Sequence, residues 1–169
     1  MKKIRVLLVC TENICRSPMA QGILSQLLES EGMNKFCRVG SAGTHVSQSW
    51  RRPDKRAQQV AGRHGVDLSG MRACKVRKGD FSAYDYIVAM DEHNLHALKK
   101  ICPDEYMGSL SLLMDFAPEL GLDEVPDPYF GNVAGFERVY DILDQGLRGL
   151  LGRIRRDLAE RGLDHSEIG

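Results

Sequence analysis

Apolar and polar positions along this chain follow two rhythms, and the switches between them predict an ordered series of elements. Residues 4–9 (IRVLLV) are a short apolar run rich in β-branched side chains, as in a strand covered on both faces of a parallel sheet, and the run ends at Cys10. From Pro18 the rhythm turns helical: Met19 and Ala20, Ile23 and Leu24, then Leu27 and Leu28 recur at helical spacing, with Pro18 suited to a first turn. A loop of seven or eight residues is therefore expected between strand and helix. Residues 36–44 (FCRVGSAGT) predict a second strand stopped by glycines, and residues 56–65 a short helix closing on Gly65. Residues 84–90 (YDYIVAM) predict a third strand. Asp91 then stands where an N-cap belongs, ahead of a helix reaching about Ile101. Residues 109–114 (SLSLLM) are a weaker fourth strand. A long amphipathic helix from about Val133 follows, with Phe136, Val139, Tyr140, Leu143, Leu147, Leu150, Ile154 and Leu158 on one stripe.

Strands alternating with helices predict an α/β fold: a three-layer sandwich with a central, mostly parallel four-stranded sheet, helices on both faces and right-handed crossovers. Ligands of such sheets gather at the carboxyl ends of the strands, where Cys10 is expected. The pattern contains no repeat, low-complexity tract or linker, so residues 1–169 read as one domain. Residues 46–55 and 117–132 are the two long irregular stretches, and long loops in compact domains tend to carry function.

Composition narrows the function classes. Twenty-three Lys and Arg balance twenty-three Asp and Glu, so no global field draws the chain to nucleic acid or to an anionic membrane. The apolar run after Lys2, Lys3 and Arg5 is too short for a signal-peptide core, and no stretch approaches membrane-spanning length. Five cysteines without regular spacing fit free thiols in a reducing compartment, and a cytoplasmic location is expected.

The chemistry gathers in CTENICRSP. Five residues separate Cys10 from Arg16, the spacing that lets a loop curl around a tetrahedral anion with a thiol below and a guanidinium beside it. Alone this spacing is weak, but it follows a buried strand and precedes a helix, and Ser17 and Pro18 complete the turn. The backbone N–H groups of Thr11, Glu12, Asn13, Ile14, Cys15 and Arg16 are then free to point inward, backed by the positive end of the helix. The same donors favour a thiolate at Cys10, and a thiolate is a nucleophile.

These residues resemble the signature of the low-molecular-weight protein tyrosine phosphatases, whose common form has glycine where this chain has Glu12. The resemblance extends through SAGT (41–44), DYIVAMDEHN (85–94) and PDPYFG (126–131), in the family's order and spacing, and so covers nearly the whole chain. It implies a phosphate-binding loop after the first strand and a two-step reaction. Cys10 attacks phosphorus, Arg16 and the loop amides hold the equatorial oxygens, and Asp127 between two prolines serves as general acid and then base. Ser17 would stabilise the thiolate, and Asn13, tolerant of positive φ, would hold the curl with Ser41 among its partners. Neither cofactor nor metal is needed. Trp50, Tyr129 and Phe130 would wall an aromatic ring, and Arg51 and Arg52 would meet acidic flanks of a phosphotyrosine. The expected partner is a tyrosine-phosphorylated protein, an autophosphorylating tyrosine kinase being one candidate, and the chain is expected to be a monomer or weak dimer.

Blander readings stand beside several of these. Cys10 and Asp127 could be an ordinary strand-end cysteine and turn residue, although the motif argues against both. Cys15 reads equally as loop packing and as the partner of a reversible disulfide that shields Cys10 from overoxidation. Cys37, Cys74 and Cys102 read as structural. His93 and His96 fit a solvated helix face better than a metal site, and residues 153–162 a solvated helix end. Two departures from the family pattern are Glu12 and Met71, the latter where many relatives carry a histidine that supports the loop. Rival activities on the same fold are arginine phosphatase and arsenate reductase. Ile14 speaks against both, and the wide separation of Cys74 and Cys102 further against the second. A catalytically weakened phosphotyrosine-binding module would not need Asp127.

Overall fold

A computed structural model describes residues 2–162; Met1 and residues 163–169, which the expected single domain includes, lie outside the described residues. Strand β1 (Ile4–Cys10) is the hub of the sheet, flanked by β2 (Cys37–Gly43) on one side and β3 (Tyr86–Ala89) on the other, with the three-residue β4 (Leu110–Leu112) beyond β3. Every pairing is parallel. The register runs from Ile4 opposite Cys37 to Cys10 opposite Gly43, so the carboxyl ends of β1 and β2 finish level.

The period of two along β1 sorts its side chains into two layers. Ile4, Val6, Leu8 and Cys10 join the core under α1 (Arg16–Ser30), α2 (Lys55–Arg63) and α5 (Val133–Glu160). Leu7 and Val9 face the opposite core with Ile87, Ala89, Phe81, Leu95 and Leu98, under the short α3 (Asp80–Ala83) and α4 (Glu92–Ile101). Cys10 thus belongs to the α1 and α5 side. On α5 the expected stripe is buried throughout, from Phe136 to Leu158. Each such side chain contributes roughly 1.5–3 kcal/mol of burial. The helix approaches the 113–116 turn so closely at Gly149 that a Cβ there would collide with the Phe116 carbonyl.

Helix α1 begins at Arg16, two residues before Pro18, so the connecting loop is shorter than the periodicity implied. Pro18 sits in the first turn, where a missing N–H breaks no helical bond, and only the apolar repeat starts later. The second and third strands are trimmed to Cys37–Gly43 and Tyr86–Ala89, and the fourth ends at Leu112, with residues 113–116 tightening into a 3-10 turn. Helix α3 and the 3-10 turns at 104–109 and 118–120 are too short to show a period. Gly65 adopts φ +77°, as its place after α2 required. Among the described residues no helix is long and apolar enough to cross a membrane.

Candidate active site

The loop between β1 and α1 is held by its carbonyls. Thr44 N–H donates to Cys10 O at 3.0 Å, His45 N–H to Thr11 O at 2.9 Å and Asp54 N–H to Ile14 O at 2.8 Å. With those carbonyls drawn outward, the N–H groups of residues 11–15 find no protein acceptor among the described residues. Such a ring of free amides beside a helix N-terminus is an anion cradle. Gly43 lets the loop pack against β2, since a Cβ there would lie 2.5 Å from Thr11 O and 3.1 Å from Asn13 N.

Asn13 turns the loop. Its φ is +59°, a left-handed conformation that asparagine tolerates, and its buried amide is bonded on both ends. Nδ2 donates to Ser17 Oγ at 2.7 Å and to Ser41 Oγ at 3.0 Å, while Oδ1 accepts from Cys74 N–H at 3.0 Å. Ser17 Oγ lies 2.9 Å from Cys10 Sγ. Its single hydroxyl proton can go to that sulfur or to Ala42 O, which is 3.4 Å away. Asn13, Ser17 and Ser41 therefore sit behind the loop, whereas Cys10, Thr11, Glu12, Ile14, Cys15 and Arg16 line an open cavity of about 270 Å3. Met71 packs half-buried on the core.

Arg16 is 2% exposed, and its guanidinium faces two ways. Nη1 donates to Asp91 Oδ2 at 2.7 Å and to Val125 O at 3.0 Å. Nη2 faces the cavity, 3.3 Å from Thr11 Oγ1 and 3.7 Å from Asp127 Oδ2. Burial opposes the charge, but the Cys10 sulfur, the bond to Asp91 and the two carboxylates outweigh it and hold the guanidinium above its ordinary range. Asp91 also caps α4, its Oδ1 accepting Asn94 N–H at 2.7 Å. The sequence showed only the cap. Fully buried Asn94 in turn donates to Thr11 Oγ1 at 3.1 Å.

The opposite wall is the 126–131 loop. Asp127 Oδ1 accepts Tyr129 N–H at 3.1 Å, leaving Oδ2 toward Arg16 and the side chain 47% exposed. Arg56 pulls this loop onto α2, donating to Tyr129 O at 2.9 Å and Gly131 O at 2.7 Å while bound to Asp54 at 2.9 Å. Those bonds from Arg56 overcome partial burial and hold the Asp54 carboxyl below its usual range. Tyr129 and Phe130 line the cavity with their rings in a T-shaped pair, centroids 5.0 Å apart.

Two rim residues behave differently from expectation. Glu12 remains at the rim, but its Oε2 accepts Ser47 N–H at 2.9 Å and Ser47 Oγ–H at 3.0 Å, tying the loop to the 44–50 segment instead of pointing freely into solvent. Trp50 is not brought to the cavity. It is 74% exposed with φ +69°, and Ser47 and Arg51 from the same segment line the wall instead. Arg52 lies in a neighbouring concavity with Lys55. Burial pushes the Cys15 thiol far up, reinforced by Asp54, Cys10 and Asp127. All five cysteines are free thiols. Among the described residues no group of His, Cys, Asp and Glu is arranged to hold a metal.

Residues missed by sequence reasoning are Asp91 as the anchor of Arg16, Asn94, Ser47 and Arg56. Asp91 and Asn94 lay inside DYIVAMDEHN, which signalled the region but not the contacts. Ser47 and Arg56 carried no signal, because their roles depend on partners remote in sequence.

Comparison with known proteins finds relatives over most of the chain. The family model described as low molecular weight phosphotyrosine protein phosphatase matches residues 5–160. A low molecular weight protein-tyrosine-phosphatase of Bacillus subtilis is 33% identical over 154 residues, covering 91% of this chain and 97% of the relative. The human low molecular weight phosphotyrosine protein phosphatase is 38% identical over 141 residues, covering 80% and 85%. The crystal structure of a protein tyrosine phosphatase from Entamoeba histolytica with Hepes in the active site superposes with a TM-score of 0.88 at 32% identity, covering 92% of this chain and 99% of that one.

Proposed function

This chain belongs to the low molecular weight phosphotyrosine protein phosphatase family and is a protein-tyrosine-phosphatase, a hydrolase, and we propose that it works through a cysteinyl phosphate on Cys10. The thiolate attacks phosphorus in line, a sulfur–phosphorus bond forms, and the bond to the phenolic oxygen breaks. Asp127, protonated, gives its proton to that oxygen. Water then attacks the cysteinyl phosphate, Asp127 takes the water's proton, and phosphate leaves with the thiolate restored. Arg16 Nη2 and the inward amides meet the equatorial oxygens in both steps, while Asp91 and Val125 O keep the rest of the guanidinium still. Ser17 donates to the sulfur whenever it carries charge.

The observation that carries this reading is that Cys10, Arg16 and Asp127 line one cavity, with Arg16 Nη2 and Asp127 Oδ2 3.7 Å apart. Apolar Ile14 in the wall, with Tyr129 and Phe130 at the mouth, suits an aryl phosphate better than a phosphorylated guanidinium. The substrate is a tyrosine-phosphorylated protein, an autophosphorylating tyrosine kinase among the candidates. Free thiols suit the cytoplasm, with the chain acting as a monomer or weak dimer.

The test is turnover of phosphotyrosine and phosphoarginine peptides by the wild type, Cys10→Ser and Asp127→Asn. Phosphotyrosine is expected to be the preferred substrate, with Cys10→Ser inactive. Rapid quenching should find a phosphoryl group on the Cys10 peptide, accumulating in Asp127→Asn when the leaving group is activated. Turnover of phosphoarginine alone, or undiminished activity of Cys10→Ser, would refute the proposal.

A further inference from the structure

Beside the active cavity lies a second concavity, of about 240 Å3, whose wall contains Lys75, Lys100, His45, His93 and His96 and no carboxylate. It is assembled from three elements. His93, His96 and Lys100 recur three and four apart on α4 and so share one helical face. Lys75 comes from the residue bridged to Gly43 at the end of β2, and His45 from the segment that follows. The His45 and His93 rings stand 5.3 Å apart.

The cationic side chains of this wall have no carboxylate partner within it. Arg56, Arg63, Arg148, Arg155 and Arg161 each meet a carboxylate, whereas neither Lys75 nor Lys100 does among the described residues. The acids at the start of α4 do not line the wall: Asp91 holds Arg16 and caps the helix, and Glu92, whose N–H donates to Glu124 at 2.7 Å, is absent from the lining. The site also adjoins the reaction centre. Thr44 and His45 line it while their amides bond Cys10 O and Thr11 O, and Ser47, two residues on, lines the active cavity.

We infer that this concavity receives a carboxylate side chain of the substrate segment next to the phosphotyrosine, so that the enzyme selects phosphotyrosine in acidic sequence. Two neighbouring cavities, separated by the 44–47 segment, then read one peptide: the first its phosphoryl group and ring, the second a flanking acid. The inference rests on phosphotyrosine peptides being substrates.

The experiment compares kcat/KM at low salt for p-nitrophenyl phosphate, a phosphotyrosine peptide with glutamate flanks and the same peptide with glutamine flanks. Enzymes are the wild type, the double variant Lys75→Glu with Lys100→Glu, and a control carrying Lys78→Glu with Lys99→Glu, the same charge change outside the cavity. The cavity variant should lose about tenfold on the acidic peptide, mainly in KM, the size expected for two exposed charge pairs. The glutamine peptide and p-nitrophenyl phosphate should stay within about twofold, which also shows that the variant is folded, and the control should change little on any substrate. Equal losses on both peptides, no loss on the acidic one, or an equal effect of the control overturns the inference alone. A wild type that cleaves p-nitrophenyl phosphate and neither peptide overturns the phosphotyrosine reading with it.

Discussion

Replacing Asp91 by alanine should cost stability and rate together, because one carboxylate serves two structural purposes. Its Oδ2 is 2.7 Å from Arg16 Nη1 and its Oδ1 is 2.7 Å from Asn94 N. Loss of a hydrogen bond to a charged group costs about 1.5–3 kcal/mol, and loss of an N-cap about 1 kcal/mol. The sum, about 2.5–4 kcal/mol, overlaps only the low end of the range for breaking a buried ion pair. That is reasonable, since Asp91 is 18% exposed and Val125 O still accepts from Nη1. A domain holding about 5–15 kcal/mol should still fold. Asp91→Asn keeps one oxygen, enough for the cap, but turns an amide NH2 toward Arg16 where Oδ2 had accepted, so it should lose about 1.5–3 kcal/mol. With its anchor gone the guanidinium is free to swing, and kcat should fall about 100-fold in the alanine variant, as expected for a misplacement near 1 Å. Urea denaturation and p-nitrophenyl phosphate hydrolysis measure both effects. If Asp91→Ala costs under about 1 kcal/mol and leaves kcat intact, the assigned role of Asp91 is wrong.

Three further outcomes follow from other contacts. Glu12→Gly and Glu12→Gln should both lower KM for acidic phosphopeptides about two- to fivefold at low salt, less as salt rises. Only the glycine variant should also speed Ser47 amide exchange, and unchanged KM in both would remove the electrostatic argument. Iodoacetamide at neutral pH should modify Cys10 well before Cys15, whose thiol is pushed up by burial, and peptide mapping that finds the reverse order would contradict this. Burial, with Asp157 beside Tyr86 and with Asp144, Glu137 and Asp141 beside Tyr140, raises both phenols to about 12. The unfolded chain gives up these protons near pH ~10, so the stability they hold is intact below that and is lost as pH rises toward 12. Tyrosinate absorbance should show two late-titrating groups, one of them missing in Tyr86→Phe.

The order of strands and helices, the parallel sheet and the strand-end position of Cys10 were determined by sequence alone, because each is written in the spacing of near neighbours. Ile4, Val6 and Leu8 alternate with Leu7 and Val9, and that suffices to bury both faces of β1. The same holds for the cradle: Cys10, Arg16, Ser17 and Asn13 lie within one turn of chain, and the identity of each residue restricts what it can do there. Glu12 was legible as a rim residue, but its bond to Ser47 was not, since it spans 35 positions. Only tertiary structure decided the rest. It brought Asp91 to Arg16 across 75 positions and Arg56 to the Tyr129 and Gly131 carbonyls across 73 and 75, and it kept Trp50 away from the cavity. It also gathered Lys75, His45 and the α4 face into one wall. The physical reason is that periodicity selects an element by local burial, whereas a side chain's partner depends on how the crossovers fold elements over a shared sheet. Backbone carbonyls, the acceptors for Arg56, carry no residue identity at all.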